Sequence, residues 1–435
     1  MEEGGDMEEV VIFEDAGYRN LLPLVYTRAA FQLRCGMSTL LEKAACLYPH
    51  KKISLICRSY LEECIEEELS YPVNDSGLWA DEACRKQEGG AVLFINGRAV
   101  LSQAVPVEGT PEVGRCDEEV VYARINREKL KGISPSLFLE GNLLEELKKY
   151  GIPSRECQAA IITYPWELAV RNGDQIVEDF KNEVKTSCIE GRVYPGVYLL
   201  NESQIYIGKG SKIKPGGVLD AEQGPIYIGE DVTVLPNSFI QGPAFIGNGS
   251  RIKTGAKIYE GTTIGEVCKV GGEVEESIIH SYSNKQHDGF LGHSYLGMWC
   301  NLGAGTSNSD LKNNYGNVKV PLGGGVVDSG RMFVGLTMGD HSKTGINTMF
   351  NTGTVVGVMC NIFGEGFPPK FIPSFGWGGK SGLHTHELEK AIQTAGKVMQ
   401  RRKKELTPAQ QRLLKKIFEI TAEERERAGI NGYSL

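Results

Sequence analysis

The chain has 435 residues, 41% hydrophobic and 23% charged, with a formal net charge of −8. That length implies two or three domains with ample core, and the acidic balance leaves no basic face broad enough for nucleic acid. No apolar run approaches the ~18 residues of a membrane span. The acidic start, Met1 to Glu9, lacks the apolar region of a signal peptide, and eleven cysteines without a C-x-x-C pair fit free thiols in a reducing cytoplasm.

Residues 10–165 read as α/β. Val10–Phe13, Ile53–Cys57 and Val92–Ile95 are buried-strand candidates, and Met37–Tyr48 and Ser59–Ser70 have helical spacing. Strands alternating with helices predict βαβ units and a mostly parallel sheet. In such sheets the ligand sits beyond the strand C-termini, here the loops Glu14–Arg28 and Asn96–Arg98. Arg19, Arg28, Asn96 and Arg98 are the candidate ligand-binding residues on them, and Arg28 and Lys43 suit anionic groups. A linking helix, Gln175–Lys185, follows within residues 173–195.

A different period then takes over. Ile228, Val234, Ile240, Ile246, Ile252, Ile258, Ile264 and Val270 fall six residues apart, and a small or β-branched residue follows each by four positions up to Cys268. Neither a helix (period 3.6) nor a strand (period 2) makes that pattern. A hexapeptide parallel β-helix does, with three short strands and three corners per eighteen-residue coil. Like residues should stack as internal ladders at about the 4.8 Å strand spacing.

Ile207, Ile213 and Leu219 carry the step before the perfect run. After Val270 the phase slips by two to Ile278 and resumes through Phe290, Leu296 and Leu302; a loop from Thr306 to Gly316 interrupts it. The step returns at Val320, Val326, Met332, Met338, Thr344, Phe350, Val356 and Ile362. Slips and loops in a regular solenoid are where sites are built. Phe367–Pro373 should end the coils, because proline cannot join a ladder. Thr385 should cap a helix running to about Lys404, with further helix starts at Thr407–Pro408 and Thr421–Glu424. Arg401–Lys404 reads as a solvated helix end. The expected domains are 1–172, 173–195, 196–375 and 376–435.

Thr27–Arg28, the stretch Leu33–Leu41 opening a helix, and Pro165–Asn172 resemble the nucleotidyltransferase half of the bifunctional N-acetylglucosamine-1-phosphate uridylyltransferases/glucosamine-1-phosphate acetyltransferases. The Arg19–Pro23 opening is closer to a divergent bacterial subfamily of sugar nucleotidyltransferases. The resemblance implies a Rossmann-like domain, with Asn172 matching an asparagine that helps hold catalytic magnesium. The family's Gly-x-Gly-Thr-Arg phosphate loop is absent, and its metal-binding aspartate is replaced around Asn96–Arg98. Mg2+ is therefore a candidate cofactor without its usual carboxylate.

His287, Phe290, Asn301, Asn314–Tyr315 and Lys319, with Lys253 upstream, resemble in spacing the acetyltransferase half of the same enzymes. Transfer of an acyl group from a thioester to an amine or hydroxyl needs a base with a pKa near neutral. The resemblance implies His287 as general base, oriented by Asp288 or a carbonyl, and Asn301 as a second catalytic residue. Lys253, Lys285, Phe290, Asn314, Tyr315 and Lys319 become substrate-binding candidates. His280 and His293 are rivals to His287, His293 in a structural setting. The family's solenoids are left-handed and trimerise, with acyl-CoA along the groove between prisms; a homotrimer using acetyl-CoA is the corresponding expectation.

Two readings stand. One is a cytoplasmic enzyme of sugar-nucleotide biosynthesis, a sugar-1-phosphate nucleotidyltransferase fused to an acyl-CoA-dependent transferase acting on a sugar phosphate or nucleotide sugar, with neither nucleic acid nor membrane as partner. The other is a non-catalytic sugar-nucleotide-binding or scaffold protein with a degenerate nucleotidyltransferase domain. The missing phosphate loop favours the second for the N-terminal half, and the His287 spacing favours the first for the C-terminal half.

Overall fold

The computed structural model describes residues 9–79, 90–184, 188–430 and 432; the acidic start before Glu9 and the expected helix end at Lys185 lie outside them. The chain divides into two compact units. One comprises residues 1–21, 28–33 and 39–163, the other residues 22–27, 34–38 and 164–435.

In the first unit, strands β1 (Glu9–Phe13), β2 (Lys52–Ile56), β3 (Ala91–Asn96), β4 (Glu112–Cys116), β5 (Glu119–Asn126) and β6 (Ser154–Glu156) form one sheet in the order β2-β1-β3-β5-β4-β6. The three strands read from the sequence form its parallel half, β1 pairing with β2 and β3. The sheet is mostly parallel, as expected: β4 and β6 also pair parallel, and β5 alone runs antiparallel to its neighbours β3 and β4. Two residues join β4 to β5, and Asp117 takes the left-handed conformation there (φ 51°). That is the chemistry of a tight hairpin. The helix Leu40–Cys46 begins with a capping box: Glu42 N–H donates to Thr39 Oγ1 and Thr39 N–H to the Glu42 carboxylate.

In the second unit the hexapeptide period folds as expected into a parallel β-helix. Ile228 pairs with Ile246, and Ile246 with Ile264, each eighteen positions on. These residues are fully buried in one core with Val234, Ile252, Ile258 and Val270. One face of the solenoid is a nine-stranded sheet. The small residues serve the corners: Ser250 Oγ, for instance, donates to the Gly265 carbonyl and accepts from Cys268 N–H, tying neighbouring coils.

The slip after Val270 differs from the expected one. Ile264 pairs with Ile279, only fifteen positions on, and Val274 and Leu291 take the inward places expected near Ile278 and Phe290. The coil is three residues short: two are lost at the Gly271–Gly272 corner, where Gly272 has φ +70°, and one between Val274 and Ile279. Lys285 then falls on the inner ladder, opposite Val270. It is only 2% exposed, and its ammonium donates to the carbonyls of Gly271 (3.0 Å) and His287 (2.8 Å). A cation occupies an aliphatic position because the tightened corner turns carbonyls inward that need a donor.

The interruption is also longer than the loop expected. Leu296 pairs with Met338, so the solenoid resumes only there. Val320 and Val326 lie not on coils but in an antiparallel hairpin, Lys319–Leu322 with Gly325–Asp328. Val326 is 68% exposed and Met332 42%. Inward faces of hairpin and coil can share a six-residue spacing by chance, and only cross-coil pairing separates them. The hairpin packs through Val318, Val320 and Leu322 on Val355 and Trp166. His293 fastens the insertion, with Nδ1 2.8 Å from Asp310, Nε2 3.2 Å from Glu276 and the ring stacked on Phe333. Burial opposes its charge, but the bonds to both carboxylates outweigh that and raise its pKa to about 9.

Three end elements depart from expectation. The linking helix begins at Pro165, not Gln175, since proline suits a first helical turn. The coils continue past Phe367–Pro373: Phe371–Ile372 pairs with Val355–Val356, with the prolines flanking that strand. They end instead in a hairpin, Gly376–Gly379 with Gly382–Thr385, so Thr385 is a strand residue and the next helix spans Leu388–Gln400. The helix Pro408–Ile420 starts as predicted, with Thr407 and Gln410 as a capping box.

Two stability predictions follow from these buried ions. Lys285→Met leaves two corner carbonyls unpaired and should cost ~1–3 kcal/mol, read by thermal melting at neutral pH. Burial lowers Lys285 from 10.5 to about 8 in the fold. Between those values the unfolded chain binds the extra proton, so wild type gains stability as pH rises through that window and Lys285→Met lacks the gain. His293 has the opposite sign: its contribution is complete below about pH 6.5 and lost as pH rises through about 9. The difference in melting temperature between wild type and His293→Asn should shrink over that range.

Candidate functional site

The first unit presents the loops after β1 and β3 at the C-terminal end of its parallel strands. Arg98 lies between them with no solvent exposure. Its guanidinium donates to both Asp15 oxygens (2.6 Å each), to Glu119 (2.6 Å) and to the Ile162 carbonyl (2.9 Å). Burial opposes the charge, but the bonds to Asp15 and Glu119 prevail and raise its pKa. The group lies flat against Gly17, where a Cβ would sit 2.2 Å from the guanidinium carbon. Asn96, 1% exposed, bonds Asp15 and the Val120 carbonyl and accepts from Arg98 N–H.

These residues do not fit a divalent cation. Magnesium needs free carboxylate oxygens, and the oxygens of Asp15 are engaged by Arg98 and Asn96. A cation there would face a guanidinium across less than the span of a salt bridge. Asn172 is likewise unavailable. It is fully buried in the second unit, accepting from Gly36 N–H (2.7 Å) and donating to the Gly261 carbonyl (2.8 Å) and Thr263 Oγ1 (3.0 Å). Both amide hydrogens and the carbonyl are spent on holding the Gly36 turn and the helix Pro165–Glu183 to the solenoid.

Of the other candidates in this unit, Arg28 is 5% exposed and its carbonyl accepts from Arg58. Arg19 is exposed and lines a cleft of about 450 Å3 with Tyr18, Arg58, Tyr60, Asn74 and Trp79. Arg58 is held by Glu14 (2.8 and 3.0 Å) beneath the Tyr18 ring. Aromatic faces, buried cations and amides are the donor set a nucleotide uses, and the sequence singled out only Arg19 of them.

In the second unit His287 is exposed at the corner between Asn284–Lys285 and Phe290–Gly292, immediately after the short coil. The corner is pinned on both sides. Lys285 holds the His287 carbonyl from within, and Gly305 N–H of the next coil donates to the Asp288 carbonyl (3.0 Å). Phe290 follows, half-buried, its N–H on Ser307 Oγ (3.1 Å). The Asp288 side chain is exposed beside His287 without a hydrogen bond to it among the described residues. One coil below, Lys253 stacks under Gly271, where a Cβ would lie 2.9 Å from its own.

Asn301 lies on the adjoining face. A column of residues in register runs Arg251, Lys269, Asn284, Asn301. Asn284 Nδ2 donates to Asn301 Oδ1 (3.3 Å), and Arg402, just after the helix Leu388–Gln400, donates to Asn284 Oδ1 (2.7 Å). Burial, then the charges of Arg402, Arg251, Arg401 and Lys253, lower the pKa of Lys269. Five cations thus crowd one patch around Lys269, one coil below the coil of His287. The basic end of the tail helix is solvated as expected at Arg401, Lys403 and Lys404, while Arg402 bonds the coil face; the sequence carried no sign of that contact because Asn284 is more than a hundred residues away.

His287 and Phe290 therefore share one coil, with Asn301 on the next coil and Lys253 two coils back. Lys285 is close but faces the interior and cannot touch a substrate. Asn314, Tyr315 and Lys319 are exposed on the insertion, whose hairpin packs on Val355 of the nine-stranded face, a different face from the Asn284–Asn301 column.

Residues 10–186 match the family described as sugar nucleotidyl transferase. Among curated relatives, "Bifunctional protein GlmU" of Rippkaea orientalis is 29% identical over 41% of this chain and 33% of its own length. "Bifunctional protein GlmU" of Acidithiobacillus ferrooxidans is 38% identical over 26% and 24%. "Bifunctional sugar-1-phosphate nucleotidylyltransferase/acetyltransferase" of Sulfurisphaera tokodaii is 34% identical over 32% and 36%. The chain thus spans between about a quarter and just over a third of the length of these relatives. A crystal structure of UDP-N-acetylglucosamine acyltransferase aligns at 14% identity over 56% of this chain and 81% of that one, with a TM-score of 0.23, too loose a superposition to carry an argument. The chain thus joins a region that matches the sugar nucleotidyl transferase family to a parallel β-helix, and is similar over part of their length to bifunctional GlmU-type transferases.

Proposed function

We propose that the β-helix transfers an acyl group, acetyl in the first instance, from a coenzyme A thioester to an amine or hydroxyl of a sugar phosphate or nucleotide sugar. His287 accepts the proton of the nucleophile as it attacks the thioester carbonyl carbon; the carbon–sulfur bond breaks and the thiolate leaves as the free thiol. The supporting observation is the cation patch of Arg251, Lys253, Arg401 and Arg402 around Lys269, without an ion-pair partner among the described residues, one coil below the coil of the exposed His287. Coenzyme A carries a pyrophosphate and a phosphate monoester, and such a patch suits them. Asn301, held by Asn284, is a donor for the oxygen that gains charge at the carbonyl. A cytoplasmic homotrimer belongs to this reading, since Asn314, Tyr315 and Lys319 can join the site only from a neighbouring prism.

For the first unit the Arg98 network favours a second reading, binding of a nucleotide sugar without magnesium chemistry. Asp15 and Glu119 neutralise an internal guanidinium instead of coordinating a metal, and the aromatic cleft at Arg19 supplies a place for the ligand.

Purified protein supplied with acetyl-CoA and a panel of sugar-1-phosphates, amino sugars and nucleotide sugars should release free thiol with at least one acceptor. His287→Ala should lower kcat by ~100-fold or more with little change in KM for acetyl-CoA. Arg402→Ala should instead raise that KM by roughly tenfold. No thiol release with any acceptor, or turnover indifferent to His287→Ala, defeats the acyl-transfer reading. In parallel, nucleoside triphosphate plus sugar-1-phosphate with magnesium should yield no pyrophosphate; its appearance overturns the second reading.

A further inference from the structure

The last coils hold a second concave site on the face that carries the Asn284–Asn301 column, where Lys343 is in register with Asn301. The helix Leu388–Gln400 runs over the solenoid face, and Lys390, Gln393, Thr394 and Lys397, on one helical face by their spacing, enclose with Lys343, Asn361, Trp377 and His386 a cleft of about 320 Å3. Lys343, Asn361 and Trp377 are consecutive members of one in-register column, so the floor is set by the ladder and not by a mobile loop.

We propose that this cleft binds a sugar phosphate, with the lysines on the phosphate and Trp377, Asn361 and His386 on the sugar ring.

The charge argument comes first. Three lysines line the cleft and no carboxylate does among the described residues. Lys390 is balanced by Glu387 (2.8 Å) outside the lining, whereas the Lys343 ammonium spends a single bond, 2.7 Å, on the His341 carbonyl. An ammonium has three donors, so Lys343 and Lys397 remain for an anion. Burial pushes Lys343 down to about 8; a bound phosphate would offset that cost.

The ring argument is independent. His386 is buried, and its Nδ1 lies 3.1 Å from the Met359 carbonyl, which can only accept, so the proton sits on Nδ1 and Nε2 keeps its lone pair. Burial, with Lys343 and Lys390 nearby, lowers its pKa and keeps it neutral. Nε2 can thus accept from a hydroxyl, Asn361 and Gln393 can both donate and accept, and Thr394, whose hydroxyl donates to the Lys390 carbonyl (2.8 Å), can accept. Trp377, packed edge-on by Phe363 and against the His386 ring, offers an apolar surface to the ring's carbon face. The volume, at the low end for ligand sites, suits a hexose phosphate and is too small for a dinucleotide.

Calorimetric titration of the full chain with glucose-1-phosphate, in the absence of any acyl donor, tests this. Binding should weaken about tenfold in the Lys390→Ala/Lys397→Ala double variant, whose substitutions sit on an exposed helical face. Lys253→Ala, two coils back from His287, should leave it unchanged. A ligand-induced change in tryptophan fluorescence should vanish in Trp377→Phe. Equal binding by wild type and the double variant, or loss only with Lys253→Ala, overturns the assignment. So does inorganic phosphate or unphosphorylated glucose binding as tightly as glucose-1-phosphate, since the site as described needs both halves of the ligand. The failure of acyl transfer would leave this result untouched, because the readout is binding at residues outside that machinery.

Discussion

Everything in the second unit depends on the inner ladder. Each coil contributes three inward side chains, and stacking them at the strand spacing buries a continuous apolar column while the backbone pairs from coil to coil. A residue on the ladder has no freedom to do chemistry, and a residue beside a flaw in it has a fixed frame and open space. The short coil at Gly271–Gly272 is such a flaw. It loses two residues at that corner and a third at the next, turns carbonyls inward and recruits Lys285 to satisfy them. Because that same ammonium holds the His287 carbonyl, the irregularity that opens the surface also makes the exposed corner rigid.

The first unit illustrates how residue types that signal catalysis can be redirected to structure. Arg98, Asp15 and Glu119 stand at the strand ends where an α/β sheet places its ligands, yet their charges neutralise one another. Removing a guanidinium from solvent is costly unless it is fully bonded, and here it makes four bonds at 2.6–2.9 Å. The same holds for Asn172, whose amide is spent on Gly36, Gly261 and Thr263. A family likeness at these positions identifies ancestry, while the hydrogen-bond partners decide what the side chain now does.

Two faces of the solenoid acquire character from elements distant in sequence. The helix Leu388–Gln400 brings Arg402 onto the Asn284–Asn301 column at one end and encloses a cationic cleft at the other. The insertion, fastened by His293 between Asp310 and Glu276, covers part of another face. The ladder supplies the flat surface in both cases, and the added element turns it concave.

The sequence alone determined the solenoid, because a strict six-residue period has one structural solution and needs no knowledge of neighbours. It also determined the parallel half of the first sheet, where short apolar runs alternate with helical ones, and the Thr407 helix start, whose capping box is local. Tertiary structure decided the rest. Whether Val320 continues a coil or turns in a hairpin depends on which strand it pairs with. Whether Lys285 meets a substrate or a carbonyl depends on a corner shortened in the preceding coil. Whether Arg98 meets a phosphate depends on Asp15 and Glu119, which approach it from separate strands and loops. Periodicity is read along the chain, but the partner of a polar side chain is set across it, and for these residues the partner is the function.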